Sequence, residues 1–159
     1  DRIVITLDDG RDLRFLDQRT FGGLTLAPLV DGIPGPVTHI APDPFEECFD
    51  VDEVVRRLCA RRSAIKRSLL DQTLVSGIGN IYADETLWRV RCHPETPCSR
   101  LSQSEAVELL QTACDVMAEA MSQGGTSFDS LYVNVNGESG WFSRVLDAYG
   151  REDEPLPPM

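Results

Sequence analysis

Residues 71–85 read Asp71-Gln-Thr-Leu-Val-Ser-Gly-Ile-Gly-Asn-Ile-Tyr-Ala-Asp-Glu85. Gly77 and Gly79 bracket an apolar Ile78 and lead straight into a helical pattern that starts near Asn80, with Ile81, Leu87 and Trp88 on its inward face. Glycines permit close backbone approach, and the N–H groups at a helix start lack an intrahelical acceptor, so such a turn can hold a phosphate. Asn80 adds a side-chain donor, while Lys66 and Arg67, one helix upstream, supply charge. The same residues also read as a tight helix–helix turn with a capping Asn80. Short glycine motifs are common, and this stretch alone leaves both readings open.

Working outward, the spacing predicts further helices. Ser63 to Leu70 forms one. Before it, Asp50 with Glu53 makes a capping-box pattern, and Val51, Val54, Val55 and Leu58 give an apolar stripe. Downstream, Pro94 and Pro97 end the unit. Ser102 with Glu105 is a second capping box, opening a long helix through Val107, Leu110, Cys114, Met117 and Met121 that stops at Gly124-Gly125. Residues 124–140 are polar and Gly-rich, a loop long enough to have a job. Trp141 to Ala148 is expected to be a last short helix or strand, and residues 152–159 to fray.

Toward the N-terminus the period changes to two. Residues 3–7 read as a strand, Asp8-Asp9-Gly10-Arg11 as a turn, and Leu13, Phe15 and Leu16 as a second strand; Phe21 to Leu26 is expected to add a third. Pro28, Pro34, Pro36, Pro42 and Pro44 follow. The expected organisation is strands over 1–30, a Pro-rich linker over 31–49, a helical domain over 50–151 and a tail over 152–159. The fold class is α+β, a small antiparallel sheet plus a helical domain. Two or three strands are marginal alone, so they must pack on the helices or pair through an exposed edge with a second copy or a protein partner.

Composition narrows the function. The 159 residues suit one or two domains, with 42% apolar and 26% charged side chains, an ordinary globular balance able to form a core without disulfides or metal. No apolar run is long enough for a membrane span, and Asp1-Arg2-Ile3-Val4 lacks a signal-peptide pattern, so the expected location is the cytoplasm. A net charge of −11 argues against a generic polyanion binder. Six of the 15 basic residues nevertheless fall between Arg56 and Arg67, so an anion site belongs there. The five cysteines show no C-x-x-C pair, and Cys92-His93 with Cys98 lacks a fourth zinc ligand. They are expected to be reduced thiols.

The linked motifs resemble a family. Ser63-Ala-Ile-Lys-Arg-Ser-Leu-Leu-Asp-Gln, Gly-Ile-Gly-Asn-Ile-Tyr-Ala-Asp-Glu85, Leu87-Trp88 and His93-Pro94 closely resemble the helix-two-turn-helix of formamidopyrimidine-DNA glycosylases. Asp17-Gln-Arg-Thr-Phe-Gly22 looks like that family's Asp-Pro-Arg-Arg-Phe-Gly element. Gln123-Gly-Gly-Thr-Ser-Phe128 resembles the start of its lesion loop, and Tyr149-Gly-Arg-Glu152 the lead-in to its zinc finger.

The resemblance implies that the strands are part of a β-sandwich. It implies that Lys66, Asn80 and the amides around Gly77–Gly79 grip a phosphate of damaged or abasic double-stranded DNA. Arg19 would face the orphaned base and Phe21 would wedge between base pairs, easing the flipping of the damaged nucleotide; on its own residues, Phe21 also reads as a core aromatic. Glu85 would lie near the lesion pocket. Thr126, Ser127 and Tyr132 fall in the lesion-loop segment, and Tyr149 would touch a phosphate.

The family nucleophile is an N-terminal proline followed by glutamate. Neither stands in this sequence, and Glu152-Asp-Glu-Pro-Leu-Pro-Pro-Met lacks the zinc-finger cysteines, so no catalytic residue and no zinc cofactor are expected. The expectation is therefore a base-excision-repair protein that binds oxidised-purine or abasic DNA without catalysis of its own. The alternatives are an active glycosylase and abasic-site lyase using an unexpected amine such as that of Asp1, or a protein-interaction module. RNA binding is a weaker fourth.

Overall fold

The chain divides into two compact units, residues 1–38 and 39–159, and the computed structural model describes residues 2–17, 20–126, 140–142 and 145–151. In the first unit, β1 (Ile3–Thr6) pairs antiparallel with β2 (Asp12–Phe15), Ile3 opposite Phe15 and Thr6 opposite Asp12. Gly10, at φ +82°, closes the turn between them, as the Asp-Gly signal predicts.

The expected strand at Phe21–Leu26 is absent: those residues join no ladder. The second hairpin lies further on, where β3 (Leu29–Val30) pairs with β4 (Ile33–Pro34). Asp31 and Gly32 both have positive φ, 50° and 84°, which a two-residue type I′ turn requires. Gly22 and Gly23 weaken the earlier segment as a strand. The Asp17 carboxylate bends it into a turn by accepting the amides of Thr20 at 3.0 Å and Gly22 at 2.6 Å.

The second unit begins inside the expected linker. The Ala41 amide donates to the Gln72 carbonyl at 2.9 Å and the Ser76 amide to that of Pro42 at 3.3 Å, so this part of the proline-rich stretch is fastened to the helical unit. Four helices follow, α1 (Val51–Cys59), α2 (Ile65–Leu69), α3 (Asn80–Arg89) and α4 (Gln103–Ser122). With the two small antiparallel sheets they make the chain α+β.

The caps act locally. Asp50 accepts the Glu53 amide, but the Glu53 carboxylate turns to Arg56 instead of completing the box. At Ser102 and Glu105 both halves form. Helix α4 packs on α1 and α3. Its buried face is Ala106, Leu109, Leu110, Ala113, Val116, Met117 and Ala120; of the expected stripe Leu110 and Met117 are buried, Cys114 is half-buried, and Val107 and Met121 are exposed. Alanines at the seam let the helix backbones approach, so the larger side chains beside them fall outside it. Val51 is likewise exposed, while Val54, Val55 and Leu58 are buried as expected.

Beyond α4, Gly124 and Gly125 take positive φ and end the helix. Thr126 forms an isolated antiparallel bridge with Trp141. In the expected last element, Trp141 to Ala148, Phe142 has 3-10 helical conformation and no α-helix or ladder strand stands among the described residues; Phe142 and Leu146 anchor the segment by burial. No helix among the described residues is long and apolar enough to cross a membrane.

Candidate nucleic-acid interface

The two turns between α2 and α3 are built around two polar side chains. Asp71 closes the first: its carboxylate accepts the Thr73 amide at 3.0 Å and hydroxyl at 2.7 Å, and Arg61 at 2.6 Å. The Thr73 hydroxyl, then the Arg61 guanidinium and the Thr73 amide, hold the Asp71 carboxyl down at about 2. Gln72 fixes the second. Its Oε1 accepts the Gly77 amide at 2.9 Å and its Nε2 donates to the Ile78 carbonyl at 3.0 Å. Leu74, Val75 and Ile78 are buried beneath.

This geometry divides the glycines. Gly77 has φ +85°, so the backbone requires glycine; a Cβ there would lie 2.9 Å from Met117 Cε, the far end of a flexible side chain that can give way. Its amide is engaged by Gln72, which removes it from the expected grip. Gly79 has an ordinary φ of −102° and is the N-cap of α3 with no side-chain cap. A Cβ there would meet nothing within 4 Å. Asn80 is the first helical residue, not the cap, so the capping reading of Asn80 falls away. Among the described residues, neither its exposed side chain nor the amides of Gly79, Asn80 and Ile81 have a hydrogen-bond partner. A helix start with open amides and clear space in front suits an anion.

Lys66 stands on α2 and its ammonium pairs with Asp84 of α3, 2.7 Å from Oδ1. The basic run at 56–67 is largely engaged inside the protein: Arg56 with Glu53, Arg57 with the Thr73 carbonyl, Arg61 with Asp71 and Lys66 with Asp84. Arg62 and Arg67 are exposed, with no partner among the described residues.

Glu85 does not line an open pocket. It is 0% exposed. Its Oε2 accepts the Asp147 amide and its Oε1 those of Ala148 and Tyr149, all at 2.9 Å. Tyr149, Ile81 and Tyr82 pack together on the cluster of Val116, Ala120, Phe142 and Leu146. Tyr149 is thereby tied through its amide to Glu85 of α3, the helix that begins at Asn80, and shares a buried cluster with Ile81 of its first turn. Sequence reasoning missed Gln72, Asp84 and Asp71; the polar run Asp71-Gln72-Thr73 ahead of Leu74 and Val75 was the available signal for the turn residues.

Phe21 lies in the first unit, 88% exposed, which excludes the core reading. Asp17 and Gly22 shape the turn that carries it, and a Cβ on Gly22 would lie 2.6 Å from Phe15 Cζ. Thr126 bridges Trp141 at the base of the lesion-loop segment. Arg19, Ser127 and Tyr132, like the tail expected to fray, lie outside the described residues.

Residues 40–131 match the family model of the formamidopyrimidine-DNA glycosylase H2TH domain. The chain belongs to the formamidopyrimidine-DNA glycosylase family. It is 61% identical to the formamidopyrimidine-DNA glycosylase of Mycolicibacterium vanbaalenii over 158 residues, covering 97% of this chain and 54% of the relative. The enzyme of that name from Rhodococcus jostii is 58% identical over 160 residues, 98% of this chain and 55% of the relative. The chain thus spans about half the length of these glycosylases. Among solved structures, the MutM (Fpg) protein from Thermus thermophilus superimposes with a TM-score of 0.71 at 35% identity, over 79% of this chain and 50% of that one. Lactococcus lactis Fpg in complex with abasic-site DNA gives 0.67 at 34% identity, over 74% and 43%. The resemblance read from the sequence is therefore shown, and the family includes members solved on damaged DNA.

Proposed function

We propose that this chain binds duplex DNA carrying an oxidised purine or an abasic site, in the bacterial cytoplasm, and that its residues grip the duplex without supplying the reacting group. One observation carries this reading: the start of α3 presents open amides and an exposed Asn80, with clear space at Gly79 and with Tyr149 tied by its amide to Glu85 of the same helix. These groups are hydrogen-bond donors suited to a backbone phosphate, and phosphate contacts position a protein on its duplex. Arg19 and Phe21 act as the pair inserted at the lesion, Thr126, Ser127 and Tyr132 belong to the covering loop, and no zinc is needed for the contact.

The test is fluorescence anisotropy with a duplex containing a tetrahydrofuran abasic analogue, at low salt. Wild type is expected to bind, and Asn80→Ala and Lys66→Ala each to weaken binding about tenfold, the scale of a lost charge-assisted hydrogen bond. Equal retention by all three rejects the grip. Borohydride trapping on an abasic duplex is expected to give no covalent adduct; an adduct would establish instead an active lyase using an amine of this chain.

A second reading, pairing with a second copy or a protein partner through the strands, is favoured by the apolar side chains the first unit exposes, among them Leu13 at 60%, Leu16 at 58% and Leu26 at 103%. Light scattering separates it: a monomer at high concentration counts against self-pairing.

A further inference from the structure

We infer that Glu85 is a positioning residue for the DNA contact, acting through Tyr149. This rests on the proposed binding reading and names a device inside it. Glu85 is completely buried on α3, yet none of its oxygens faces a ligand space. Both accept main-chain amides from three consecutive residues, Asp147, Ala148 and Tyr149, each at 2.9 Å. Asp147, Ala148 and Tyr149 themselves lie in no helix or strand, so nothing in regular secondary structure satisfies these amides. A buried polar group needs a partner, and here one side chain provides for three donors at once.

The consequence is geometric. Phe142 and Leu146 fix the segment's depth by burial against Val116 and Ala120 of α4. Apolar contacts are non-directional and leave rotation about that anchor. The Glu85 hydrogen bonds are directional, and the last of them falls on the Tyr149 amide itself. They set where the Tyr149 ring leaves the backbone, on the same buried cluster of Val116, Ala120, Phe142 and Leu146 that Ile81 and Tyr82 of α3 pack against. Glu85 therefore couples the tyrosine to the helix whose N-terminus carries Asn80. The two contacts proposed for the phosphate backbone are carried on one rigid element instead of on a helix and an independent loop.

The substitution Glu85→Gln keeps size and burial but replaces one acceptor oxygen with an amide nitrogen, which confronts a backbone N–H. A double-mutant cycle on the abasic-analogue duplex reads the effect. Glu85→Gln is expected to weaken binding about tenfold, Tyr149→Phe by a similar factor, and the double variant by no more than either alone. Glu85→Gln combined with Asn80→Ala should multiply the two losses, because Asn80 does not act through Glu85. A general loss of packing would multiply in both combinations. Wild-type affinity in Glu85→Gln, or full multiplication with Tyr149→Phe, overturns the assignment.

Amide hydrogen exchange on the free protein is the second measurement. The amides of Asp147, Ala148 and Tyr149 should exchange at least tenfold faster in Glu85→Gln, with those of α4 unchanged. Unchanged exchange at the three amides also overturns it. A wild-type protein that retains no duplex would remove the binding reading and the phosphate role together, while the exchange data would still decide whether Glu85 fixes the segment.

Discussion

Lys66 Nζ stands 2.7 Å from Oδ1 and 2.9 Å from Oδ2 of Asp84, so the chain's single lysine faces a carboxylate across the junction of α2 and α3. The charge expected to meet a phosphate is already matched from within. Duplex binding then requires Lys66 to leave Asp84 or to bridge it and the phosphate. Asp84→Asn should tighten low-salt duplex binding severalfold. It should also steepen log affinity against log salt by about 0.9, one further phosphate neutralised. The cost in stability is about 1 kcal/mol or less, because both side chains keep more than a quarter of their surface in water. An unchanged salt slope shows that Asp84 does not withhold Lys66 from a phosphate, and an unchanged slope in Lys66→Ala as well shows that Lys66 meets none.

The two glycines of the turn should separate folding from binding. Gly77→Ala forces a side chain into left-handed backbone and against Met117, with an expected loss of about 2 kcal/mol in denaturant unfolding and near-normal duplex affinity once folded. Gly79→Ala meets no neighbour, so its stability cost is about 0.5–1 kcal/mol, from the weaker N-cap. Its methyl group stands in the path of the phosphate, and affinity should fall about tenfold. The reverse pattern would exclude the α3 start as the contact.

Acid should loosen the first turn. Asp71 is held at about 2 by Thr73 and Arg61, below the unfolded value of about 3.9. Its contribution is complete above about pH 4 and is lost as pH falls toward 2, since the unfolded chain takes up the proton first. With a third of the side chain exposed, screening reduces that contribution to about 1–2 kcal/mol. Asp71→Asn should unfold more easily at pH 7 and converge on wild type near pH 2. A constant difference across that range would contradict the assignment.

The capping box of α4 is the simplest stability test. Ser102→Ala removes the acceptor for the Glu105 amide and the donor to its carboxylate. The expected loss is about 1 kcal/mol, a thermal midpoint a few degrees lower, with duplex affinity unchanged.

Features set by neighbouring residues were legible in the sequence, and features set across the fold were not. Asp50, Ser102, Asn80 and Gly124 mark helix ends through local hydrogen bonding or backbone conformation, and each stands within a residue or two of an observed end. The Asp31-Gly32 hairpin carried an equally local signal that the surrounding prolines obscured, while two glycines stood in a segment that only resembled a strand. On α4 the apolar pattern favoured large side chains, whereas the helix seam selects alanines, which moves the buried face aside. Lys66 and Asp84 are 18 residues apart, and Glu85 reaches amides 62 to 64 residues away. No spacing rule links such positions; only the packing of α3 on its neighbours does.

Gly140 and Gly125 stand so close that a Cβ on Gly140 would collide with the Gly125 carbonyl. Next to them Trp141 donates its amide to the Gln123 carbonyl at 3.0 Å, and Thr126 bridges Trp141. Residues 123–126 and 140–141 thus form a single collar. The two ends that flank residues 127–139 are therefore pinned to each other and to the end of α4. A segment between pinned ends can change length at little entropic penalty, because closure depends only weakly on how many residues it encloses. A lineage could therefore change the length and sequence of residues 127–139 while α4 and the buried cluster beside it stay as they are.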